Sequence, residues 1–157
     1  MPSLELKPPF RLQKLTPGTK TVFLAGSIEM GKAEPWQEQI VDALKDKDVV
    51  FYNPRRVDWD SSWKQDPTPG TEFEIQVTWE LDHIEKADIV VLYFDPKTTS
   101  PISLLEMGLA LEAGKKLLVC CPDGFFRKGN VVITTKRYNV EVLSTLPDLI
   151  SKLKAAL

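Results

Sequence analysis

Short apolar runs alternate along the chain with segments of helical period, and Gly, Pro and Asn mark the boundaries. Thr21-Val22-Phe23-Leu24-Ala25, ending at Gly26, predicts a buried strand. Pro35 suits the first turn of a helix reaching about Lys45, with Trp36, Ile40, Ala43 and Leu44 at helical spacing. Val49-Val50-Phe51-Tyr52 predicts a second strand, stopped by Asn53-Pro54. Residues 54–72 hold three prolines, Gly70 and two tryptophans, and predict a loop long enough to be functional or disordered. Phe73 to Lys86 is a predicted helix with Phe73, Val77, Leu81 and Ile84 on one face. Ile89 to Phe94 is almost wholly apolar, as a central parallel strand covered on both faces must be. Ser100 and Pro101 open the next helix, with Ser100 as its N-cap, and Gly114 closes it. Leu117 to Cys121 predicts a fourth strand and Val140 to Leu143 a short fifth, followed by an amphipathic helix over 146–156. Residues 129–138 suit either helix or strand.

Five alternations of strand and helix predict an α/β fold: a doubly wound five-stranded parallel sheet in a flavodoxin-like three-layer sandwich. It would occupy residues 21–157 as one domain, behind an irregular N-terminal arm over 1–20 that carries four prolines. Such sheets bind ligands beyond the carboxyl ends of their strands. That rule selects Gly26 to Lys32, Asn53 to Phe73, Asp95 to Glu106, and the loop after Cys121.

Composition narrows the chemistry. A net charge of −2 gives no basic face for a nucleic-acid polymer. No run approaches the roughly 20 apolar residues of a membrane helix, and the first residues lack a signal-peptide core, so the expected location is cytoplasmic. Cys120 and Cys121 are adjacent in a strand and point to opposite faces, as buried thiols do. With those two cysteines and His83 as the one histidine, no zinc site of ordinary spacing can be assembled, and a carboxylate-only magnesium site has nothing to support it. No metal and no cofactor is expected.

Glu106 stands out, because Ile102 to Leu111 is apolar on nearly every side and predicts a helix buried all round. An unpaired charge there is costly unless it is paired, exposed at a cleft, or used in chemistry. The alternative is an acid favoured by the helix dipole. Glu80 lies at the edge of the buried face of its helix, where a solvated glutamate is the commoner case. Ser100 is explained as a cap, although free amides at a helix start also attract anions. Gly26 lets a ligand approach the backbone beside Ser27 and Ile28. Residues 26–33 mimic the P-loop pattern GxxxxGK, and Asp95 mimics a Walker B acid. Ala33 lacks the metal-holding hydroxyl, however, and Pro35 starts the helix after the lysine. No GxGxxG fingerprint is present.

FLAGSIEMG followed by ADIVVLYFDPKTTSPISLLEMGLALEAGKKLLV resembles the nucleoside 2-deoxyribosyltransferases and the related 2'-deoxynucleoside 5'-phosphate N-hydrolases, over residues 21–121. The resemblance implies that Glu106 is the nucleophile and Glu80 stands where the family has its acid/base aspartate. It further implies that Ser100 is the phosphate-contacting serine of the hydrolases, Ser27 the loop serine, and Asn130 a residue reaching a neighbouring subunit's site. Two positions depart from the pattern. Phe23 replaces a tyrosine that orients the nucleophile, leaving Tyr52 and Tyr93 as candidate sources of that hydroxyl. Glu29 replaces a phosphate-holding arginine, leaving Lys32, Arg55 and Arg56 as candidate substitutes.

The implied activity is cleavage or transfer at the N-glycosidic bond of a (2'-deoxy)nucleoside or its 5'-monophosphate through a glycosyl-enzyme intermediate. Gly26, Ser27, Ile28, Asn53, Asp58, Trp59, Ser100 and Asn130 would bind substrate, with Trp59 and Trp63 either stacking on the base or packing over the core rim. The implied partners are a small-molecule nucleoside or nucleotide and further copies of the chain in a homodimer or higher homo-oligomer. The rival readings are a nucleotide-binding module without catalysis and a degenerate P-loop protein.

Overall fold

A computed structural model describes residues 2–28, 33–56 and 62–157. Its elements follow the order β1 (Leu4–Leu6), β2 (Lys20–Gly26), α1 (Trp36–Ala43), β3 (Val49–Tyr52), α2 (Glu72–Lys86), β4 (Ile89–Tyr93), α3 (Pro101–Glu112), β5 (Lys116–Cys120), α4 (Lys128–Arg137), β6 (Val142–Leu143) and α5 (Leu146–Ala156). The sheet has six strands rather than the expected five, all parallel, in the order β1-β3-β2-β4-β5-β6. The additional strand comes from the arm, where Leu4 to Leu6 pair with Val50 to Tyr52 at the sheet edge. Three residues among prolines carry too little periodicity to show this. The strand exists because β3 offers it a ladder, and Leu6 is buried there.

Alternation along β2 sorts its side chains to two faces. Phe23 and Ala25 join Trp79, Met107, Ala110 and Val131 on the face covered by α2, α3 and α4. Val22 and Leu24 join Trp36, Ile40, Leu149 and Leu153 on the face covered by α1 and α5. With helices on both sides, every residue of β4 is buried, which is why its sequence is unbroken apolar. Residues 129–138, ambiguous in sequence, fall on the helix α4 except for Tyr138, which follows its last residue. Thr71 caps α2 by accepting from Glu74 N at 3.1 Å, and Thr145 caps α5 by accepting from Asp148 N at 3.2 Å.

The chain reverses direction across the sheet between β2 and β4. There Gly26 is required by packing: with φ +137°, an added Cβ would lie 2.4 Å from Tyr93 O and 2.7 Å from the Trp36 ring. The close approach attributed to a ligand is made by the neighbouring strand. The arm continues across α2, where Trp79 Nε1 donates to Phe10 O at 2.8 Å and Arg11 pairs with Asp82 at 2.9 Å. Contrary to the all-round burial expected of α3, Ile102, Leu105 and Leu109 lie exposed along its outer face. Among the described residues no helix is long and apolar enough to cross a membrane.

Candidate active site

The reversal between β2 and β4 brings Ser27 to the loop that follows β4. Ser27 Oγ lies 2.8 Å from Thr98 Oγ1 and 2.6 Å from Ser100 Oγ, and those two are 2.7 Å apart. Thr98 also donates to Asp95 O at 2.9 Å, so four short contacts share three hydroxyl protons. The Asp95 amide donates to Ser27 Oγ at 2.8 Å, and all three hydroxyl residues are buried. Ser100 stands at the N-cap position of α3 as expected, but its side chain does not cap. Its left-handed backbone (φ 44°, ψ 53°) turns the hydroxyl into this knot instead. Thr98, which the sequence reading passed over, is as central to the knot as the two serines.

Asp95 is consumed structurally: its carboxylate accepts from Glu34 N at 2.8 Å and Lys97 N at 2.9 Å. A Walker-type acid would face a metal, whereas this one pins two loops. Arg55 is similarly occupied, donating to Ala33 O, Glu34 O and Gln37 Oε1. Asn53 donates to Glu5 at 2.8 Å and accepts from Arg55 N at 3.0 Å, tying β1 to the end of β3. Arg56 lies 3.6 Å from Glu72 and over the Trp63 ring. Ile28 is half-buried directly after the knot. Asp58, Trp59, Glu29 and Lys32 lie outside the described residues.

Neither tyrosine proposed to replace the missing hydroxyl near Glu106 is placed to do so. The Tyr93 hydroxyl donates to Glu34 on the α1 side of the sheet. The Tyr52 hydroxyl sits with Thr21 and Asp88 at the amino end of β2, where burial raises its pKa.

Glu106 occupies the second turn of α3 and is six per cent exposed. Its Oε2 is buried and has no hydrogen-bond partner among the described residues. Burial and then the nearby charge of Glu80 push its pKa well above the usual carboxylate range. Glu80, half-buried on α2, is pushed up to about 7, chiefly by burial, against the lowering effect of the Gln76 side chain. Glu80 is therefore the first of the two to ionise, and as it does so the pair passes from two protons to one. A buried acid beside a carboxylate can donate a proton and supply negative charge at the same place, which is what cleavage through a cationic transition state requires. Asn130 is exposed on the first turn of α4, away from this pair in sequence and element. Two open grooves, about 500 Å³ between α4 and β6 and about 590 Å³ along the outer face of α3, take in neither carboxyl.

A family model described as "Nucleoside 2-deoxyribosyltransferase like" matches residues 19–125. That span contains the knot, Glu80 and Glu106, and leaves out β1, Asn130 and the last helix. Among solved structures, a conserved protein from Enterococcus faecalis V583 is similar in fold, with a TM-score of 0.59 and 17% identity over 88% of this chain and 99% of that one. No curated protein matches the chain.

Proposed function

The chain belongs to the nucleoside 2-deoxyribosyltransferase-like family, and from that premise we propose that it cleaves or transfers the N-glycosidic bond of a (2'-deoxy)nucleoside or nucleoside 5'-monophosphate. The observation that carries this reading is the pairing of half-buried Glu80 with buried Glu106, whose Oε2 has no hydrogen-bond partner among the described residues. An unmet acceptor in a packed interior is destabilising, and a pair of acids that cannot both ionise there is a common arrangement for proton transfer.

In the resting protein the shared proton favours Glu106, the more buried of the two. An anomeric carbon gaining positive charge beside Glu106 reverses that preference and leaves the proton with Glu80. Glu106 then bonds to the anomeric carbon while the C–N bond breaks, its electron pair passing to the base and the Glu80 proton following. Water, or a second base in transfer, attacks the same carbon, gives its proton to Glu80, and frees the Glu106 carboxylate. Ser27 and Ser100 serve the substrate through the backbone they fix, with Gly26 and Ile28 beside them. Asn53 serves by fixing the end of β3, ahead of Asp58 and Trp59 in the chain.

The exposed Ile102, Leu105 and Leu109 stripe supports assembly of a homodimer or higher closed oligomer, with Asn130 completing a neighbour's site. Leu105→Glu should yield monomers by light scattering, and a parent already monomeric at micromolar concentration would remove this part of the proposal. The activity itself is tested by incubating the protein with nucleosides and 5'-monophosphates, with and without free bases, and following released or exchanged base. Base release without exchange identifies a hydrolase and exchange a transferase. Tight binding with neither leaves a nucleotide-binding module.

A further inference from the structure

The helix that carries Glu80 has little aliphatic surface to hold it down. The buried residues of α2 are Gln76, Trp79, His83 and Ile84, whereas α5 buries Leu146, Leu149 and Leu153. The grip of α2 on the sheet therefore turns on the Trp79 ring, and directed contacts share the task of fixing it. Two come from the exit of β3: Arg56 lies 3.6 Å from Glu72, and Gln76 Nε2 donates to Pro54 O at 3.1 Å. The next turns are held by the N-terminal arm, where Trp79 Nε1 donates to Phe10 O and Asp82 pairs with Arg11. The arm is itself anchored. Its strand β1 pairs with β3, and the Leu6 carbonyl accepts from Asn53 N at 2.9 Å. Phe10 N closes a turn on Lys7 O at 3.0 Å, and Pro8 and Pro9 at its centre leave it few conformations. The Phe10 side chain is exposed, so what it contributes is its carbonyl.

Trp79 is where these contacts meet the chemistry. Its ring is fully buried, tilted against Phe23 at 6.2 Å, stacked on His83 at 4.0 Å and met edge-on by Tyr52 at 6.5 Å. Its backbone carbonyl accepts from His83 Nδ1 at 2.7 Å. Packing thus fixes the indole from its sides, and the bond to Phe10 fixes its nitrogen edge. Glu80 is the next residue, so any lift or rotation of α2 at Trp79 carries the acid with it. We propose that the N-terminal arm is a strap that positions the acid: through the Phe10 carbonyl, Arg11 and Trp79 it holds α2 where Glu80 acts on Glu106. The inference rests on the N-glycosidic chemistry proposed above. It makes Trp79 a positioning residue, and it gives this chain a device outside the family-matched span, which begins at residue 19. A lifted helix opens the Glu80 carboxyl to water and weakens the charge that it places on Glu106.

The test uses the full-length chain in three variants. Trp79→Phe deletes the indole N–H, Arg11→Glu sets like charges at the Asp82 contact, and Arg11→Glu with Asp82→Arg restores the pair in reverse. Carbon-13 NMR of glutamate-labelled protein follows the Glu80 carboxyl without substrate, assigned by Glu80→Gln, beside melting temperature, kcat and KM. In the parent Glu80 should titrate at about 7. In both single variants the midpoint should fall by about half a unit or more toward the ordinary 4.5. Their kcat should drop by about threefold or more with KM nearly unchanged, since the acid has moved and the binding surface has not. The charge swap should bring both back. Arg11 lies at the surface, so its variant decides the matter even where Trp79→Phe fails to fold. A lower melting temperature with an unmoved Glu80 midpoint overturns the inference and leaves the arm an ordinary packing contact. So does an Arg11→Glu defect that the swap leaves unrepaired. A midpoint that moves in a protein releasing base from no nucleoside removes the proposed reaction and leaves the strap standing.

Discussion

The Ser27–Thr98–Ser100 knot and the Glu80–Glu106 pair are both buried and polar, yet they solve burial in opposite ways. In the knot every hydroxyl oxygen has partners within 2.6 to 2.9 Å, and a backbone amide is drawn in as well. In the pair, the charge of half-buried Glu80 bears on buried Glu106, one of whose oxygens has no partner among the described residues. The knot closes on itself and fixes two loops. The pair is a deficit that a substrate can fill. Satisfied polar clusters of this kind are architecture, and an unsatisfied one is where a ligand gains the most by arriving.

The largest effect expected from breaking this contrast is on the pair. Glu106→Gln keeps the size and neutral hydrogen-bonding character of a protonated acid but cannot become a nucleophile. Base release should fall by roughly a thousandfold or more, a barrier increase of about 4 kcal/mol. The melting temperature should hold or rise, because folding no longer has to bury a carboxyl that must take up a proton. Near-parental release by a folded Gln variant would reduce Glu106 to an ordinary helix acid.

Ser27→Ala reverses the pattern of effects. It removes the acceptor of the Asp95 amide and a partner of Thr98 and Ser100, so stability should drop by about 1–3 kcal/mol. Release per folded molecule should change by less than about tenfold. Denaturant titration beside turnover at saturating substrate reads both, and a collapse of turnover with unchanged stability would move Ser27 from the scaffold to the chemistry.

The smallest effect is in the pH dependence. The Glu80 carboxyl rises from 4.5 to about 7 on folding, so between those values the folded state binds more protons than the unfolded one. Stability contributed by this group therefore falls as the pH rises through that window and levels off above it. Release should rise as the pH climbs toward about 7, where Glu80 ionises and the pair reaches the one-proton form that the reaction uses. Melting temperatures from pH 4.5 to 8 should show a gentler slope for Glu106→Gln, because the amide takes up no proton on folding. Identical slopes would mean that burial does not raise the Glu106 carboxyl.

Which of these features could be read beforehand follows from the range of the forces involved. The strands β2, β4 and β5 and the helices α2, α3 and α5 were legible because each follows from local pattern: apolar runs, apolar residues at helical spacing, glycine past a helix end. Glu106 was legible for the same reason, as a charge in an apolar stretch. The strand β1 was not, since three residues become a strand only when β3 is there to pair with them. The cap at Ser100 was misjudged because its backbone is left-handed and its hydroxyl answers residues 2 and 73 positions away. Gln76 carried a weak signal, lying one turn from Glu80, but no local rule shows that one end of its amide is tied to Pro54 and the other unmet.

Taken alone, the sequence determined the layered α/β architecture, the family likeness and the two carboxylates, because periodicity and motif spacing are properties of neighbouring residues. Only the tertiary structure decided which polar groups are satisfied. It closed Ser27, Thr98, Ser100 and Asp95 into a scaffold, turned Tyr52 and Tyr93 away from Glu106, and left Glu106 and Gln76 each with an unmet oxygen. Hydrogen bonding is short-ranged in space but indifferent to distance along the chain, so its accounts are settled by the fold alone.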